Sequence, residues 1–65
     1  MLLKQTKTLY KCGECKDGTV DCWESEYADR FEILIYACFQ CDHQYQDKQE
    51  LSRLEVKGSA VLIDN

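Results

Sequence analysis

The chain predicts a small antiparallel β domain of three or four strands with a short C-terminal helix, held by a staple other than its core. Three observations carry that prediction. The chain has 65 residues, which makes one domain whose own core leaves it marginal. Five cysteines lie in it, and small domains gain missing stability from disulfides or a metal; the odd count argues against paired disulfides alone. Four of the five form two Cys-x-x-Cys units, Cys12-Gly13-Glu14-Cys15 and Cys38-Phe39-Gln40-Cys41, with 22 residues between them.

Taken in order, Thr6 to Lys11 alternates loosely and reads as a strand leading into the first cysteine pair. Asp17-Gly18 signals a turn. Thr19 to Tyr27 reads as a second strand, with Val20, Cys22 and Glu24 on one face and Trp23 on the other. Ala28-Asp29-Arg30 forms the loop of a hairpin. Phe31 to Phe39, rich in β-branched and aromatic residues, is the strongest strand and runs into the second cysteine pair. His43 to Gln46 extends as a short strand. Asp47 with Glu50 has the form of a capping box, Leu51 and Leu54 follow, and Gly58 stands where a C-cap glycine would, so residues 48–57 read as a helix. Ser59 to Ile63 is a last apolar stretch, read as a strand returning to the first. The ribbon core is thus residues 10–46, and residues 47–63 are a helix-and-strand extension.

The cysteine pattern carries the chemistry. Soft thiolates in two close pairs suit a tetrahedral Zn²⁺, and a closed four-cysteine set leaves no position for water or substrate, so the ion is structural. Cys12, Cys15, Cys38 and Cys41 are the expected ligands. Gly13 supplies backbone freedom in the first knuckle. The 22-residue spacer accommodates a hairpin that brings the second pair back beside the first. Two other chemistries share these residues. A thiol-disulfide motif normally uses one Cys-x-x-Cys on a βαβ scaffold. A rubredoxin-like iron site has Cys-Pro-x-Cys-Gly surroundings, where this chain has Phe39 and Asp42. Cys22 alternates with Val20 and reads as a small core residue. His43, two residues after Cys41, reads as a neighbour of the site instead of a fifth ligand. No nucleophile and base stand at a recognisable spacing, and the chain reads as a non-enzyme.

The knuckles carry a family resemblance. Tyr10-Lys11-Cys12-Gly13-Glu14-Cys15-Lys16 with Tyr36-Ala37-Cys38-Phe39-Gln40-Cys41-Asp42-His43-Gln44-Tyr45 resembles the C-terminal zinc ribbon of S-II-type transcript-cleavage elongation factors and related small RNA polymerase subunits. The resemblance covers residues 10–46 and implies a zinc ribbon. In that family an Asp-Glu pair at the hairpin tip reaches the polymerase active centre and helps hold a catalytic Mg²⁺. Here Asp29 stands at the corresponding place, and Arg30 replaces the Glu; one carboxylate beside a guanidinium chelates a hard cation poorly. In a polymerase channel this tip implies an inhibitory or non-cleaving role, and in the simpler reading it is a solvated turn. The order knuckle, hairpin, knuckle, helix is also similar to the N-terminal zinc domain of MqsA/YgiT-type antitoxins, which implies toxin binding without the helix-turn-helix half.

Charge narrows the partners. The formal net charge is −4, and residues 14–32 hold seven acids against Lys16 and Arg30. Nucleic acids are bound largely through phosphate neutralisation, which such a chain does poorly alone. The expected partner is a protein with a basic surface, RNA polymerase or another nucleic-acid enzyme among them. The chain is then a small regulator or inhibitor, of viral or mobile-element type. Trp23, Glu24, Glu26, Asp29 and Arg30 are the candidate contacts, with Trp23 as an exposed anchor and Phe31 and Tyr36 as ordinary packing. The longest apolar run, Ile33 to Phe39, is too short to span a bilayer. The N-terminal residues lack a signal-peptide pattern, so the expected location is cytoplasmic, or nuclear in a eukaryote.

Overall fold

The computed structural model describes residues 1–64. Its elements are β1 (Leu2–Lys11), β2 (Thr19–Tyr27), β3 (Phe31–Ile35), α1 (Lys48–Leu51) and β4 (Val56–Asp64). The strands form one antiparallel sheet in the order β3-β2-β1-β4. A four-stranded antiparallel sheet, one short helix and clustered cysteines make a zinc-ribbon-like fold. Among the described residues no helix is long and apolar enough to cross a membrane.

β1 is the spine of the sheet. It pairs with β2 along its whole length, from Leu2 opposite Tyr27 to Lys11 opposite Thr19. On its other side it pairs with β4, from Lys4 opposite Asp64 to Tyr10 opposite Val56. The final strand does return to the first, and it begins at Val56, three residues earlier than Ser59. The first strand likewise starts at Leu2, four residues before Thr6, because both its edges find a partner. β2 matches its expected span, and the Met1 carbonyl accepts from Ala28 N–H at 3.0 Å to tie the N-terminus to the hairpin tip.

Three sequence expectations are corrected. β3 ends at Ile35 instead of Phe39, because residues 36–38 leave the sheet to carry Cys38 toward the first cysteine pair. His43 to Gln46 is not a strand; it is the stretch that closes over the cysteine cluster, with His43 C=O accepting from Cys38 N–H at 3.0 Å. The helix is Lys48–Leu51, not 48–57. Its start is as expected: Asp47 Oδ1 accepts from Glu50 N–H at 3.0 Å, and the Glu50 carboxylate accepts from Gln46 N–H. Its end comes early because Leu54 N–H bonds to Leu51 C=O at 2.9 Å in a tight turn, and Gly58 is drawn into β4 opposite Leu9.

Face alternation places the core. Tyr10 and Val20 face each other, as do Thr8, Cys22 and Ile35 on the next rung. Tyr10, Val20 and Cys22 share a cluster with Cys12, Cys38, Tyr45 and Leu51, backed by Cys15, Ile35 and Leu54. Val20, Cys22, Cys38 and Leu51 are fully buried. Cys22 is therefore the inward core residue that its alternation with Val20 predicts, and burial pushes its thiol pKa up. All of this core lies at one end of the sheet, under residues 36–55.

Candidate metal centre

Two loops bring the cysteines together. Cys12 and Cys15 lie just past β1, and Cys38 and Cys41 lie in the irregular segment after β3. Their four sulfurs all lie within 4.8 Å of one another. Cys12 Sγ is 3.8 Å from Cys41 Sγ, and Cys15 Sγ is 3.6 Å from Cys38 Sγ. Four sulfurs bound about 2.3 Å from a tetrahedral Zn²⁺ stand about 3.8 Å apart, whereas a disulfide needs about 2.05 Å. The spacing fits one tetrahedral ion and rules out bridges within the cluster.

The backbone is arranged for thiolates. Glu14 N–H donates to Cys12 Sγ and Gln40 N–H donates to Cys38 Sγ, each at 3.4 Å. The second cysteine of each pair is served from further along, Cys15 by Gly18 N–H and Cys41 by His43 N–H. Each knuckle therefore aims two amide dipoles at two sulfurs, which favours the charged form.

Tyr45 adds a side-chain donor. Its ring is buried, its hydroxyl accepts from Gly13 N–H at 3.0 Å and so donates to Cys12 Sγ at 3.5 Å. His43 packs edge-on against the Tyr45 ring, with centroids 4.6 Å apart. His43 thus stands beside the site through its backbone and its ring contact. Burial disfavours the Cys12 thiolate, but the Tyr45 hydroxyl and the Glu14 and Cys15 amides outweigh it and draw this thiol down to about 6. Cys15 runs the other way, with burial and the neighbouring sulfurs pushing it up to about 12.

The glycine that matters is Gly18, not Gly13. A Cβ on Gly18 would stand 2.2 Å from Cys38 Sγ and 2.5 Å from Cys15 Sγ, so no side chain fits where the two loops meet. Gly13 serves by space as well, since its Cβ would meet Leu54 Cδ2 at 3.1 Å. Neither needs positive φ. The left-handed residue is Asp42, with φ 61°, at the end of the second knuckle; Asp tolerates that region better than most residues. The spacing Cys12-x-x-Cys15-x-x-Gly18 was the signal for the Gly18 role, hidden because Asp17-Gly18 also reads as a simple turn.

No protein-family model, curated protein or solved structure matches this chain. Its site is therefore read from its own geometry.

The candidate contact residues lie away from the cysteines. Asp29 and Arg30 form the turn of the β2–β3 hairpin, where Arg30 donates to Glu32 at 2.7 Å and to Asp29 at 3.2 Å while its guanidinium covers the Tyr27 ring at 4.0 Å. Glu26 is exposed, and Glu24 faces the core side of the sheet, where it pairs with Lys48. Trp23 is half-buried instead of exposed: Lys7 Nζ stands 5.2 Å from its ring centre, and its indole N–H is buried with no partner among the described residues. The exposed large apolar side chains near it are instead Phe31, Leu34 and Tyr36, at 56%, 53% and 50% exposure. The sequence reading missed them because an apolar β3 looks like a central strand, yet the sheet order makes it an edge. An open groove of about 730 Å³ runs between Trp23, Tyr27, Leu34 and Tyr36, with Glu32 on its rim.

Proposed function

We propose that this chain is a non-enzymatic protein-binding module in which Cys12, Cys15, Cys38 and Cys41 hold one structural Zn²⁺, and that it acts as a small regulator or inhibitor of a transcription or other nucleic-acid machine. The observation that carries the reading is the division of the sheet. Its packed end is stapled by the cysteines, while toward the hairpin β3 offers Phe31, Ile33 and Leu34 to solvent, and Glu32, Leu34 and the exposed Tyr36 line an open groove. Apolar and aromatic groups ringed by charge form a protein-binding surface more naturally than a catalytic one. The acids of the β2–β3 hairpin (Asp21, Glu24, Glu26, Asp29 and Glu32 against Arg30) favour a partner with a basic surface, as enzymes that grip nucleic acid have.

The metal's part is mechanical. The four thiolates would hold the two loops together, their amide and hydroxyl donors would offset the thiolate charge, and the closed set leaves no site for substrate.

Arg30 supports a non-cleaving role over S-II-like chemistry at the tip. It engages Asp29 and Glu32 together, so neither carboxylate is offered free to a hard cation.

The test is affinity capture from nuclease-treated lysate of the source organism, with the zinc-loaded wild type beside a Leu34→Glu/Tyr36→Glu variant of equal zinc content. The expected outcome is a nucleic-acid enzyme, RNA polymerase subunits included, retained by the wild type and depleted at least tenfold by the variant. Equal retention of every captured protein by both forms would sink the reading.

A further inference from the structure

We infer that β3 is a docking edge on which a basic, extended segment of the partner protein adds as a fifth strand. Its lysine or arginine side chains lie beside Glu32 on one face of the sheet, and its apolar side chains lie beside Phe31 and Ile33 on the other. The inference rests on the protein-binding reading above and names the mode of that binding.

The hydrogen-bond phase of the hairpin identifies the free backbone groups. Tyr27 N–H donates to Arg30 C=O at 2.8 Å beside the turn, and Tyr36 N–H donates to Asp21 C=O at 3.0 Å at the far end. Between them the register is unbroken, from Glu26 opposite Phe31 to Cys22 opposite Ile35. Antiparallel alternation therefore commits the backbone groups of Glu32 and Leu34 to β2 and turns those of Phe31, Ile33 and Ile35 outward. Gln44 Nε2 donates to the Ile35 carbonyl at 3.3 Å. The Ile35 N–H and both backbone groups of Phe31 and Ile33 have no partner among the described residues, which leaves three donors and two acceptors along the edge. Such an edge takes an extended peptide by main-chain hydrogen bonds, and the side chains on its two faces set the choice of sequence.

The two faces ask for different side chains. Residues opposite one another share a face, so Phe31 and Ile33 lie with Glu26 and Glu24, and Glu32 and Leu34 lie with Ser25 and Trp23. Phe31 and Ile33 are exposed and apolar, and apolar side chains of an added strand would cover them. On the second face Glu32 stands at the aromatic groove, where the chain already lays its own cations on rings: the Arg30 guanidinium over Tyr27 and Lys7 Nζ over Trp23. Cationic side chains from an incoming strand meet the same carboxylate and the same kind of ring face.

Charge chooses the occupant. Residues 19–36 hold five acids against one base, a net −4, and the seven acids and seven bases elsewhere cancel, so the net charge of the whole chain resides in this hairpin. A basic strand is drawn to it. A second copy is not, because pairing β3 with its own copy would set two such hairpins about 4.8 Å apart, inside the screening length of about 8 Å at physiological salt. The opposite edge, β4, carries Lys57 and Asp64 and has no net charge with which to select a partner.

The deciding experiment titrates the isotope-labelled, zinc-loaded chain with a capped heptapeptide alternating lysine and valine, and with its glutamate–valine counterpart. Two-dimensional NMR and amide exchange follow the binding. A one-strand contact is smaller than a standard interface, so the lysine peptide should bind weakly, with a Kd below about 1 mM. At saturation it should slow exchange of the Phe31, Ile33 and Ile35 amides at least about fivefold, and the glutamate peptide should bind at least about tenfold more weakly. Ile33→Pro deletes an outward N–H, a change edge strands accept, and should weaken binding at least about tenfold. Glu32→Lys should cut the preference for the lysine peptide at least about fivefold. Amide dispersion and zinc content report whether each variant folds, and Glu32→Lys decides if Ile33→Pro does not. A Kd above about 1 mM, protection gained at amides other than these three, or equal binding of the two peptides overturns the proposal. The titration needs no captured partner. Its failure beside a successful capture removes strand addition alone, and a failed capture beside a successful titration removes the nucleic-acid-machine reading alone.

Discussion

The two ends of this sheet are built on opposite terms. At the cysteine end, Tyr10, Val20, Cys22, Cys38, Tyr45 and Leu51 are buried together, and backbone amides are committed to sulfur. At the hairpin end, β3 presents Phe31, Ile33 and Leu34 to water with nothing packed over them among the described residues. A chain of this size cannot cover a whole four-stranded sheet. It concentrates order where a metal can supply it and leaves the rest of the sheet as surface. Packing is thereby concentrated in one set of residues and exposed apolar surface in another, and each can be perturbed without the other.

The sharpest break in that division comes from the ligands. Cys12→Ser or Cys38→Ser should unfold the chain, because structural Zn²⁺ contributes about 10–16 kcal/mol in small metallo-domains, as much as a domain's entire stability. Collapse of the amide dispersion in a two-dimensional NMR spectrum checks it, and a folded, metal-free variant would refute it. Gly18→Ala comes next. Its methyl must push sulfur atoms or backbone aside, at a cost of about 1–3 kcal/mol, read as lower zinc affinity in a chelator competition. An affinity equal to wild type would show that the loops can separate freely.

Tyr45→Phe keeps the buried ring but deletes the hydroxyl between Gly13 N–H and Cys12. We expect zinc affinity to fall roughly 10-fold, with the fold intact in saturating zinc. Phe31→Ser and Leu34→Ser at the other end should each shift stability by no more than about 0.5 kcal/mol. A large drop in melting temperature would show that the hairpin end is part of the core after all.

The smallest expected effect is electrostatic. The Glu24 carboxylate raises the Lys48 pKa above its ordinary 10.5. A raised lysine stabilises the folded form fully below about 10.5, and that contribution is lost as pH climbs through the higher folded value. Lys48 is two-fifths exposed, so the pair contributes less than about 1 kcal/mol. The stability gap between wild type and Lys48→Met should shrink above pH 10.5; a gap that widens there would reverse the assignment.

Much of this was legible in the residues. The two Cys-x-x-Cys units named the site because thiolate pairs at that spacing have few other uses in a short chain, and alternation through Val20 and Cys22 placed the inner face. What the sequence concealed was which strands end up as edges. β3 reads as central from its apolar run, and only the sheet order exposes it. The helix was drawn too long because Leu51, Leu54 and Val56 are compatible with either a helix face or a turn leading into a strand, and pairing with β1 decided for the strand. Trp23 looked exposed among acids because sequence does not show that Lys7, sixteen residues away in the chain, stands opposite it.

The placement of β1 has a kinetic consequence. The strand made first is an inner strand, bordered by β2 close in sequence and by β4, whose Ser59 hydroxyl meets that of Thr8 from 51 residues away. Long loops close slowly, so β1 should zip to β2 and the cysteines should gather before the last strand arrives. Pulse-labelling hydrogen exchange during refolding would show this order directly. The Thr8 and Tyr10 amides, which face β2, should gain protection before those of Lys7 and Leu9, which face β4; simultaneous protection would mean the sheet condenses in one step.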